Sequence, residues 1–269
     1  MSSYGVTQQT VNQSDLDRGL EELNILGFTV LENVLSPDVV EQFAQKVDQV
    51  LLQQSSEIGR DVLAAMGESD IARALMSYDD LFIDLITNET AIAFVEKVLG
   101  PAFVLVLQNA IVTKPHQAHH QSAWHRDLPY QEYTVSSPLA LSVYFCLDNY
   151  SEESGGTWLL PHSHRLNSLP SKEFIEKQRV CVNAPKGSIV LFDSFVFHSA
   201  GSNTSDQQRR GINHVYARPI IQQQIDLPRL LQGRHSEDPF LNMVLGYRWA
   251  ARDSVESYRR EKLARSQAD

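Results

Sequence analysis

The sequence of 269 residues has few cysteines, no long apolar run and fewer basic than acidic residues. Its two cysteines, Cys146 and Cys181, are too few for a disulfide framework or a cysteine-rich zinc cage. The longest apolar runs, such as 102–107 and 189–192, fall far short of the roughly 20 residues that span a bilayer. These absences argue against a disulfide-rich secreted protein and a membrane-spanning protein, and they predict a cytoplasmic location.

The charge balance limits the class of partner. Lysine and arginine number 23 against 33 aspartates and glutamates, which gives a formal net charge of −10. Nucleic-acid-binding proteins usually carry a clustered basic face that displaces counterions from phosphates, and the sequence contains no such cluster. We therefore expect a small-molecule substrate and neither a nucleic-acid nor a membrane partner. These features leave the oligomeric state open.

The N-terminal part of the sequence has helix signals. Residues 1–13 are polar, without a basic residue or an apolar segment, so we predict a disordered arm and neither a signal nor a transit peptide. Ser14 precedes acidic residues and a helical apolar pattern that ends at Gly27. Ser36 and the proline after it start a second helix, and a third is predicted over 90–99.

The middle of the sequence is rich in strand signals. Short apolar runs separated by Gly, Pro, Ser and Asn predict strands over 28–31, 103–113, 139–147, 157–160, 188–192 and 211–217. With no repeat or flexible linker, we predict one α+β domain over 14–269. It would consist of a helical part at about 14–100, a β-rich barrel at about 101–220 and C-terminal helical packing over 226–265.

The residues with the clearest chemical meaning are His125 and Asp127. Residues i and i+2 of an extended segment face the same side, so an imidazole and a carboxylate can reach one point. His198, on a later strand or at its exit, offers a third ligand. Two imidazoles and one carboxylate leave open positions on a metal, as in the non-haem Fe(II) oxygenases.

An arginine after His198 adds to this pattern. Arg209 lies at the entry of the strand predicted over 211–217, and its guanidinium suits a carboxylate ligand. Arg210 is the competing candidate, because strand alternation lets only one of the pair point inward. We prefer Arg209, while a solvated turn containing both arginines is the alternative.

In its motifs the sequence resembles the phytanoyl-CoA dioxygenase family of Fe(II)/2-oxoglutarate-dependent oxygenases. The resemblance covers roughly residues 15–250. The motifs that carry it, in order, are the segment 26–36, His125-x-Asp127, Ser-Gly-Gly-Thr-Trp-Leu-Leu-Pro-His-Ser-His-Arg at 154–165, Lys186-Gly187-Ser188, His198-Ser199-Ala200-Gly201 with Asn203, and Arg209. Each motif is weak alone, and their order and spacing together are specific.

The resemblance implies a double-stranded β-helix, a jelly-roll or cupin-like barrel flanked by N-terminal and C-terminal helices. It implies that His125, Asp127 and His198 hold Fe(II), and that Arg209 binds the distal carboxylate of 2-oxoglutarate. Further candidates for cosubstrate binding are Tyr144, Thr157 and Gln108. Tyr144 could instead be a core aromatic residue, and Gln108 a satisfied polar residue on a strand.

The implied reaction uses O2 to hydroxylate a C–H bond of a small organic or natural-product intermediate, with decarboxylation of 2-oxoglutarate to succinate. The presence of Asp127 argues against halogenation, because related halogenases lack this carboxylate. Desaturation, epoxidation and ring expansion stay open. The alternatives are an acyl-CoA hydroxylase of the same family, a metal-dependent hydrolase or isomerase, and a non-catalytic metal-binding barrel.

The remaining candidates are less specific. His116, His119 and His120 predict a loop or substrate lid, and His162 replaces a glycine of similar sequences. We expect His164 to fix a loop by hydrogen bonding, and His214 and His235 to be structural or exposed. The candidate walls of the substrate pocket are Trp124, Arg126, Tyr130, Gln131 and Trp158.

Overall fold

The computed structural model describes residues 5, 11, 13–118, 120–128 and 133–266 of the chain. The predicted disordered arm, 1–13, lies outside the described residues except at positions 5, 11 and 13. In the described part, no helix is long and apolar enough to cross a membrane. The cytoplasmic location stays a prediction.

The α-helices of the described residues, α1 to α9 in chain order, are Asp15–Ile25, Pro37–Ile58, Arg60–Met66, Ile83–Ile86, Glu89–Leu99, Lys172–Gln178, Leu227–Leu231, Pro239–Val244 and Val255–Ser266. Three of them are the helices predicted from the sequence. Ser14 caps α1 by accepting a hydrogen bond from the backbone amide of Asp17, and Asn88 caps α5 in the same way. Proline occupies the first turn of α2, where its missing amide hydrogen costs nothing.

The strands, β1 to β11, are Phe28–Leu31, Ile71–Arg73, Val104–Thr113, Gln117–Ala118, Ala140–Cys146, Trp158–Leu159, Val180–Cys181, Ile189–Asp193, His198–Ser199, Ser202–Asn203 and Arg209–Ala217. Six form an antiparallel sheet in the order β1-β8-β5-β11-β3-β2. Three short strands form a second antiparallel sheet in the order β7-β6-β9, and β10 pairs with β4. The α+β prediction is confirmed.

One face of the six-stranded sheet packs against the helices. Its buried core joins residues of α1, α2 and α5 to inward-facing positions of β3, β5 and β11, such as Val112, Phe145 and Ile212. The other face carries a separate buried cluster that includes Ile111, Tyr144 and residues of β8. The sheet therefore divides the described residues into a helix-packed side and a side open to a cavity.

Gln108 lies on the helix-packed side, so its predicted role in cosubstrate binding is corrected. Its Oε1 accepts a hydrogen bond from the backbone amide of Met76 at 2.8 Å, and its Nε2 donates to the carbonyl oxygen of Phe82 at 2.9 Å. Nε2 also lies 2.8 Å from Nε2 of His214. Alternation along β3 places Gln108 opposite His214 and turns the neighbouring Asn109 toward the cavity.

His214 is structural, as expected, and it is buried in a neutral form. Burial lowers the pKa of His214 to about 3, and Nδ1 lies 3.1 Å from the hydroxyl of Tyr216. Because the unfolded chain binds a proton near pH 6.5 and the folded chain does not, His214 contributes stability that is complete above pH 6.5 and is lost as pH falls toward 3.

We predict that His214→Gln reduces the acid sensitivity of folding. Below pH 6.5 the free energy of unfolding of the metal-free wild type should fall with a one-proton contribution of about 1.4 kcal/mol per pH unit that the variant lacks. Urea unfolding between pH 4 and 7.5 measures both slopes. His116→Gln, at an exposed histidine, is the control and should keep the wild-type slope. Equal slopes in wild type and His214→Gln would contradict the assignment.

Candidate metal centre

Backbone pairing brings the first and third predicted ligands together. The amide of His125 donates to the carbonyl oxygen of His198 at 2.9 Å, and the amide of His198 donates back at 3.0 Å. This mutual pair is an isolated antiparallel bridge, and it holds the two imidazole centroids 4.3 Å apart. Two residues further on, the amide of Asp127 donates to the carbonyl oxygen of Ser194 at 3.3 Å. The predicted His-x-Asp geometry therefore has a physical basis in an extended, paired segment.

The ligand atoms of His125, Asp127 and His198 all lie within 4.8 Å of one another. Nδ1 of His125 lies 2.8 Å from the carbonyl oxygen of Ala123, and Nδ1 of His198 lies 3.0 Å from that of Val196. A carbonyl oxygen can only accept, so each Nδ1 carries the hydrogen and each Nε2 is the nitrogen suited to a metal. Nε2 of His198 is 3.3 Å from Oδ1 of Asp127.

The carboxylate of Asp127 is held in its ionised form. Burial alone would raise the pKa of Asp127, but the nearby His198 imidazole and the hydroxyl of Ser142 lower it below its ordinary value. The Ser142 hydroxyl donates to Oδ2 and lies 2.8 Å from the hydroxyl of Ser194. Oδ1 is thereby left on the side of the imidazoles.

Arg126, between the two ligands, points to the other side of the segment. It is 2% exposed; its Nε donates to the carbonyl oxygen of Phe195 at 2.7 Å, and Nη2 donates to those of Ser163 and Leu166. Its guanidinium carbon also lies 3.9 Å from the centroid of the Phe197 ring. Arg126 also lines the cavity beside His125 and Asp127, in keeping with its predicted place at a pocket wall, while its guanidinium ties the metal-binding segment to the loops beside it.

A cavity lobe, here the cosubstrate lobe, brings together most of the predicted site. It is lined by Ile111, Gln121, His125, Tyr144, Thr157, His198, Ala200 and Arg209. Tyr144 is 8% exposed, and burial, reinforced by the charge of Asp127, raises its pKa well above the ordinary value, so it stays a neutral phenol. Of the predicted cosubstrate ligands, Arg209, Tyr144 and Thr157 therefore meet in one lobe.

Arg209 enters this lobe as a buried cation. Its side chain is buried, its Nη2 donates to Oγ1 of Thr113 at 2.6 Å, and its guanidinium carbon lies 4.3 Å from the centroid of the Tyr150 ring. Within the described residues no carboxylate pairs with it, and its buried Nε has no acceptor. Gly211 makes room for the Tyr150 ring, because a Cβ there would lie 2.1 Å from the hydroxyl oxygen.

Arg210 faces the opposite way, as strand alternation requires. Its guanidinium pairs with Asp148 at 2.9 Å and with Asp48 at 3.0 Å, and it is remote from the cosubstrate lobe. The structure thus separates two arginines that the sequence left in competition. One has acidic partners at the surface, and the other lies buried beside the histidines.

The donors fit a divalent metal and an anionic ligand. Nε2 of His198 is buried without a hydrogen-bond partner among residues the structure describes, next to an ionised carboxylate, which is the chemistry of a metal-binding triad. A buried guanidinium without a carboxylate is costly unless an anion satisfies it. Arg209 in the cosubstrate lobe is such a group.

A second lobe, here the substrate lobe, is lined by Asp127, which does not line the cosubstrate lobe. Its volume is about 150 Å3, and it shares Ile111, Gln121, His125 and Tyr144 with the cosubstrate lobe. It is lined further by polar residues that the sequence analysis did not name: Arg73, Asn109, Asn213 and Gln224. The i+4 spacing of Asn213 from Arg209 on one strand was the available signal.

The other histidines have no place in the triad. His162 adopts a left-handed conformation, φ 65°, which explains why a glycine suits this position, and its Nδ1 lies 2.7 Å from the carbonyl oxygen of Ile25. His164 is 8% exposed, and both of its ring nitrogens are buried. Burial lowers its pKa to about 4.

The remaining predicted residues are placed as follows. Nε2 of His116 pairs with Asp206 at 2.9 Å, and the Trp158 ring lies under the guanidinium of Arg179 at 4.2 Å. Trp124 packs against the buried cluster that contains Phe197. His119, Tyr130 and Gln131 lie outside the described residues, and the side chain of His120 does too.

Comparison with known proteins identifies the family. The family model described as phytanoyl-CoA dioxygenase (PhyH) matches residues 25–211. The chain belongs to the phytanoyl-CoA dioxygenase family. It is 30% identical over 226 residues to an uncharacterized protein of Mycobacterium tuberculosis, covering 82% of both chains.

Two further relatives show how far the likeness extends. The ectoine dioxygenase of Nocardia farcinica is 24% identical over 221 residues, which cover 71% of this chain and 74% of that protein. The crystal structure of the epimerase SnoN in complex with Fe3+, alpha-ketoglutarate and nogalamycin RO has a TM-score of 0.59 at 18% identity. That match covers 76% of this chain and 84% of the epimerase, and it shows that the fold is shared.

In this member of the phytanoyl-CoA dioxygenase family, we predict that Ser142→Ala weakens metal binding about 10- to 100-fold. Loss of the hydroxyl frees Oδ2 of Asp127 and leaves the carboxylate less well oriented, and outer-shell groups typically contribute that much to metal affinity. Competition of Zn2+ between the protein and a chromophoric chelator measures the dissociation constant.

Ser188→Ala is the matched control for this measurement. Ser188 is equally buried, at 0% exposure, and its hydroxyl has no hydrogen-bond partner in the part of the chain that is described. Its removal should leave the zinc affinity unchanged. Equal affinities for the two variants and the wild type would show that Ser142 does not position the carboxylate.

Proposed function

We propose that the protein is a non-haem Fe(II)/2-oxoglutarate-dependent dioxygenase that hydroxylates an unactivated C–H bond of a small organic or natural-product intermediate. Membership of the phytanoyl-CoA dioxygenase family supports an oxygenase of this general type. Its likeness to an ectoine dioxygenase and to an epimerase bound to Fe3+ and alpha-ketoglutarate supports the same cofactors.

One observation carries the proposal: a buried arginine without a counterion shares a lobe with two imidazoles of a His/Asp/His set. A metal site alone does not require this cation. A ligand that meets both the metal and Arg209 has to carry a donor group at one end and an anionic group at the other. 2-Oxoglutarate has both groups.

Each residue of the site has a defined part in this proposal. His125, Asp127 and His198 would hold Fe(II), and Arg209 would bind the distal carboxylate of 2-oxoglutarate. The neutral Tyr144 phenol and the Thr157 hydroxyl, which line the same lobe, would donate hydrogen bonds to the cosubstrate. When bound, Fe(II), 2-oxoglutarate and O2 together supply an oxidant for C–H bonds, and succinate and CO2 are the coproducts.

We also propose that the two sheets form a double-stranded β-helix within one domain over residues 14–269. The cosubstrate lobe supports this arrangement, because Tyr144 and Arg209 come from the six-stranded sheet and His198 comes from the three-stranded sheet. A cavity lined from both sheets is expected of a barrel of this kind.

The alternatives fit the site less well. A metal-dependent hydrolase or isomerase, or a non-catalytic metal-binding barrel, would use the His/Asp/His set and leave the burial of Arg209 without a purpose. An acyl-CoA hydroxylase would use the same cofactors. It is separated from the proposed function only by its substrate.

We predict that Arg209→Gln raises the dissociation constant of 2-oxoglutarate about 10- to 100-fold, the effect of losing a charge-assisted hydrogen bond in a buried site. Anaerobic titration of the Fe(II) protein with 2-oxoglutarate, followed through the weak visible charge-transfer band of the chelate, measures the constant. Arg210→Gln removes an arginine next to it and should leave the constant unchanged, because its ion pairs lie elsewhere.

The outcomes separate the candidate functions. A band that forms in the wild type and in Arg210→Gln, and requires far more 2-oxoglutarate in Arg209→Gln, supports the oxygenase. Absence of the band in a wild type that binds Zn2+ tightly would favour the hydrolase or binding-protein alternatives. Arg209→Lys, which keeps the charge, should recover part of the affinity and shows that a folded site is being measured.

A further inference from the structure

A row of directly opposed residues crosses the floor of the substrate lobe. In the register of the six-stranded sheet, Arg73 on β2 faces Asn109 on β3, Asn109 faces Asn213 on β11, and Asn213 faces Tyr144 on β5. Directly opposed residues share a face of the sheet. We call Arg73, Asn109, Asn213 and Tyr144 the polar row. All of them line the lobe that contains Asp127 and His125.

Asn213 is the unusual member of this row. It is 5% exposed, and Oδ1 is buried without a hydrogen-bond partner in the residues described. No donor bond from its Nδ2 to another described residue occurs either. Most buried side-chain polar groups have a partner, and one left without it costs stability. An amide that is unpaired at both ends and faces a cavity indicates a ligand that supplies a donor and an acceptor side by side.

Arg73 and Asn109, two members of the polar row, already have hydrogen-bond partners within the protein. Nε and Nη2 of Arg73 donate to the carboxylate of Glu68, and Nη1 donates to Oε1 of Gln224 at 2.9 Å. The Asn109 amide, oriented so that both ends are paired, donates to the carbonyl oxygen of Gln108 and accepts from Arg73. The positive charge of the polar row is therefore balanced within the protein and offers no counterion to an anionic ligand.

The two lobes beside the triad differ in the polar residues that line them. Arg209 and Thr157 line the cosubstrate lobe, whereas Asn213 lines the substrate lobe together with Asp127. Arg209 and Asn213 lie on one face of β11, with Gly211 between them. A ligand bound to Asn213 would lie in the lobe that Asp127 and His125 also line, whereas Arg209 lines the other lobe.

We propose that Asn213 is a specificity-determining residue that binds the substrate through an uncharged group with adjacent hydrogen-bond donor and acceptor, such as an amide. This inference rests on the proposed function, because it takes the substrate lobe to be the place of the reaction. It deepens that function by assigning an uncharged polar substrate to the site. Phosphate groups, as in a CoA thioester, would find no free cation in the polar row.

Three small probes of similar size test the assignment. 2-Pyrrolidinone carries an adjacent N–H and C=O, cyclopentanone has only the acceptor, and pyroglutamate adds a negative charge to the lactam. Ligand-observed NMR on the Zn2+ protein with 2-oxoglutarate, which cannot turn over, measures their affinities. We expect 2-pyrrolidinone to bind the wild type more tightly than the other two, and its affinity to fall about 5- to 100-fold in Asn213→Leu, as for two lost neutral hydrogen bonds.

Thermal unfolding of the metal-free protein supplies an independent readout. Replacing an unsatisfied buried amide by an apolar group of similar size should leave the Tm unchanged or raise it. A structural asparagine would instead lower the Tm on substitution. Asn242→Leu is the control, because Asn242 lies on α8, lines neither lobe and donates to the carbonyl oxygen of Ser236. It should lose stability and keep the affinity for 2-pyrrolidinone.

Several results would overturn the proposal: no binding of 2-pyrrolidinone, equal binding by wild type and Asn213→Leu, or preference for cyclopentanone, pyroglutamate or an added CoA thioester. The Fe(II) and 2-oxoglutarate band, recorded in parallel on wild type and Asn213→Leu, keeps the two proposals apart. A normal band with failed probe binding would refute the role of Asn213 alone. A missing band in the wild type would refute the proposed function.

Discussion

The site depends on the two backbone hydrogen bonds that His125 and His198 exchange. Their side chains come from distant parts of the chain, and this bridge holds the two imidazole centroids 4.3 Å apart. The third ligand follows from the same pairing, because an extended segment returns Asp127 to the side of His125. Arg126, on the opposite side, ties the segment to its neighbouring loops and so holds the bridge in place.

Strand alternation extends this order across the six-stranded sheet. On β11 the residues Arg209 and Asn213 face the cavity, while His214 faces the helix-packed core. The two faces thus have different chemistry on one strand: a closed hydrogen-bond network behind the sheet and open binding groups in front of it. Because a shift of one residue would exchange these faces, the register of β11 with β3 and β5 is what makes the site possible.

The triad of His125, Asp127 and His198 could be predicted from the sequence, because the first two ligands are two residues apart and the third lies in a recognisable motif further along the chain. The sequence also favoured Arg209 over Arg210, but that choice needed the acidic partners of Arg210, which pairing across the fold supplies. The predicted role of Gln108 assumed the wrong face of the sheet, because the contact with His214 on the neighbouring strand turns Gln108 toward the helix-packed side. The polar row escaped detection since its members lie on four strands and become neighbours only through sheet register.

The placement of unsatisfied polar groups links this architecture to function. Behind the sheet, Gln108 makes hydrogen bonds through both ends of its amide, and the fold gains stability from it. In front, three buried atoms lack a partner among the described residues: Nε2 of His198, Nε of Arg209 and Oδ1 of Asn213. Each unpaired group costs stability in the empty protein, and each suits a different ligand: a metal ion, an anion and an uncharged donor. The three unpaired groups thus lower the free energy of unfolding of the ligand-free protein, and binding of all three ligands would raise it again.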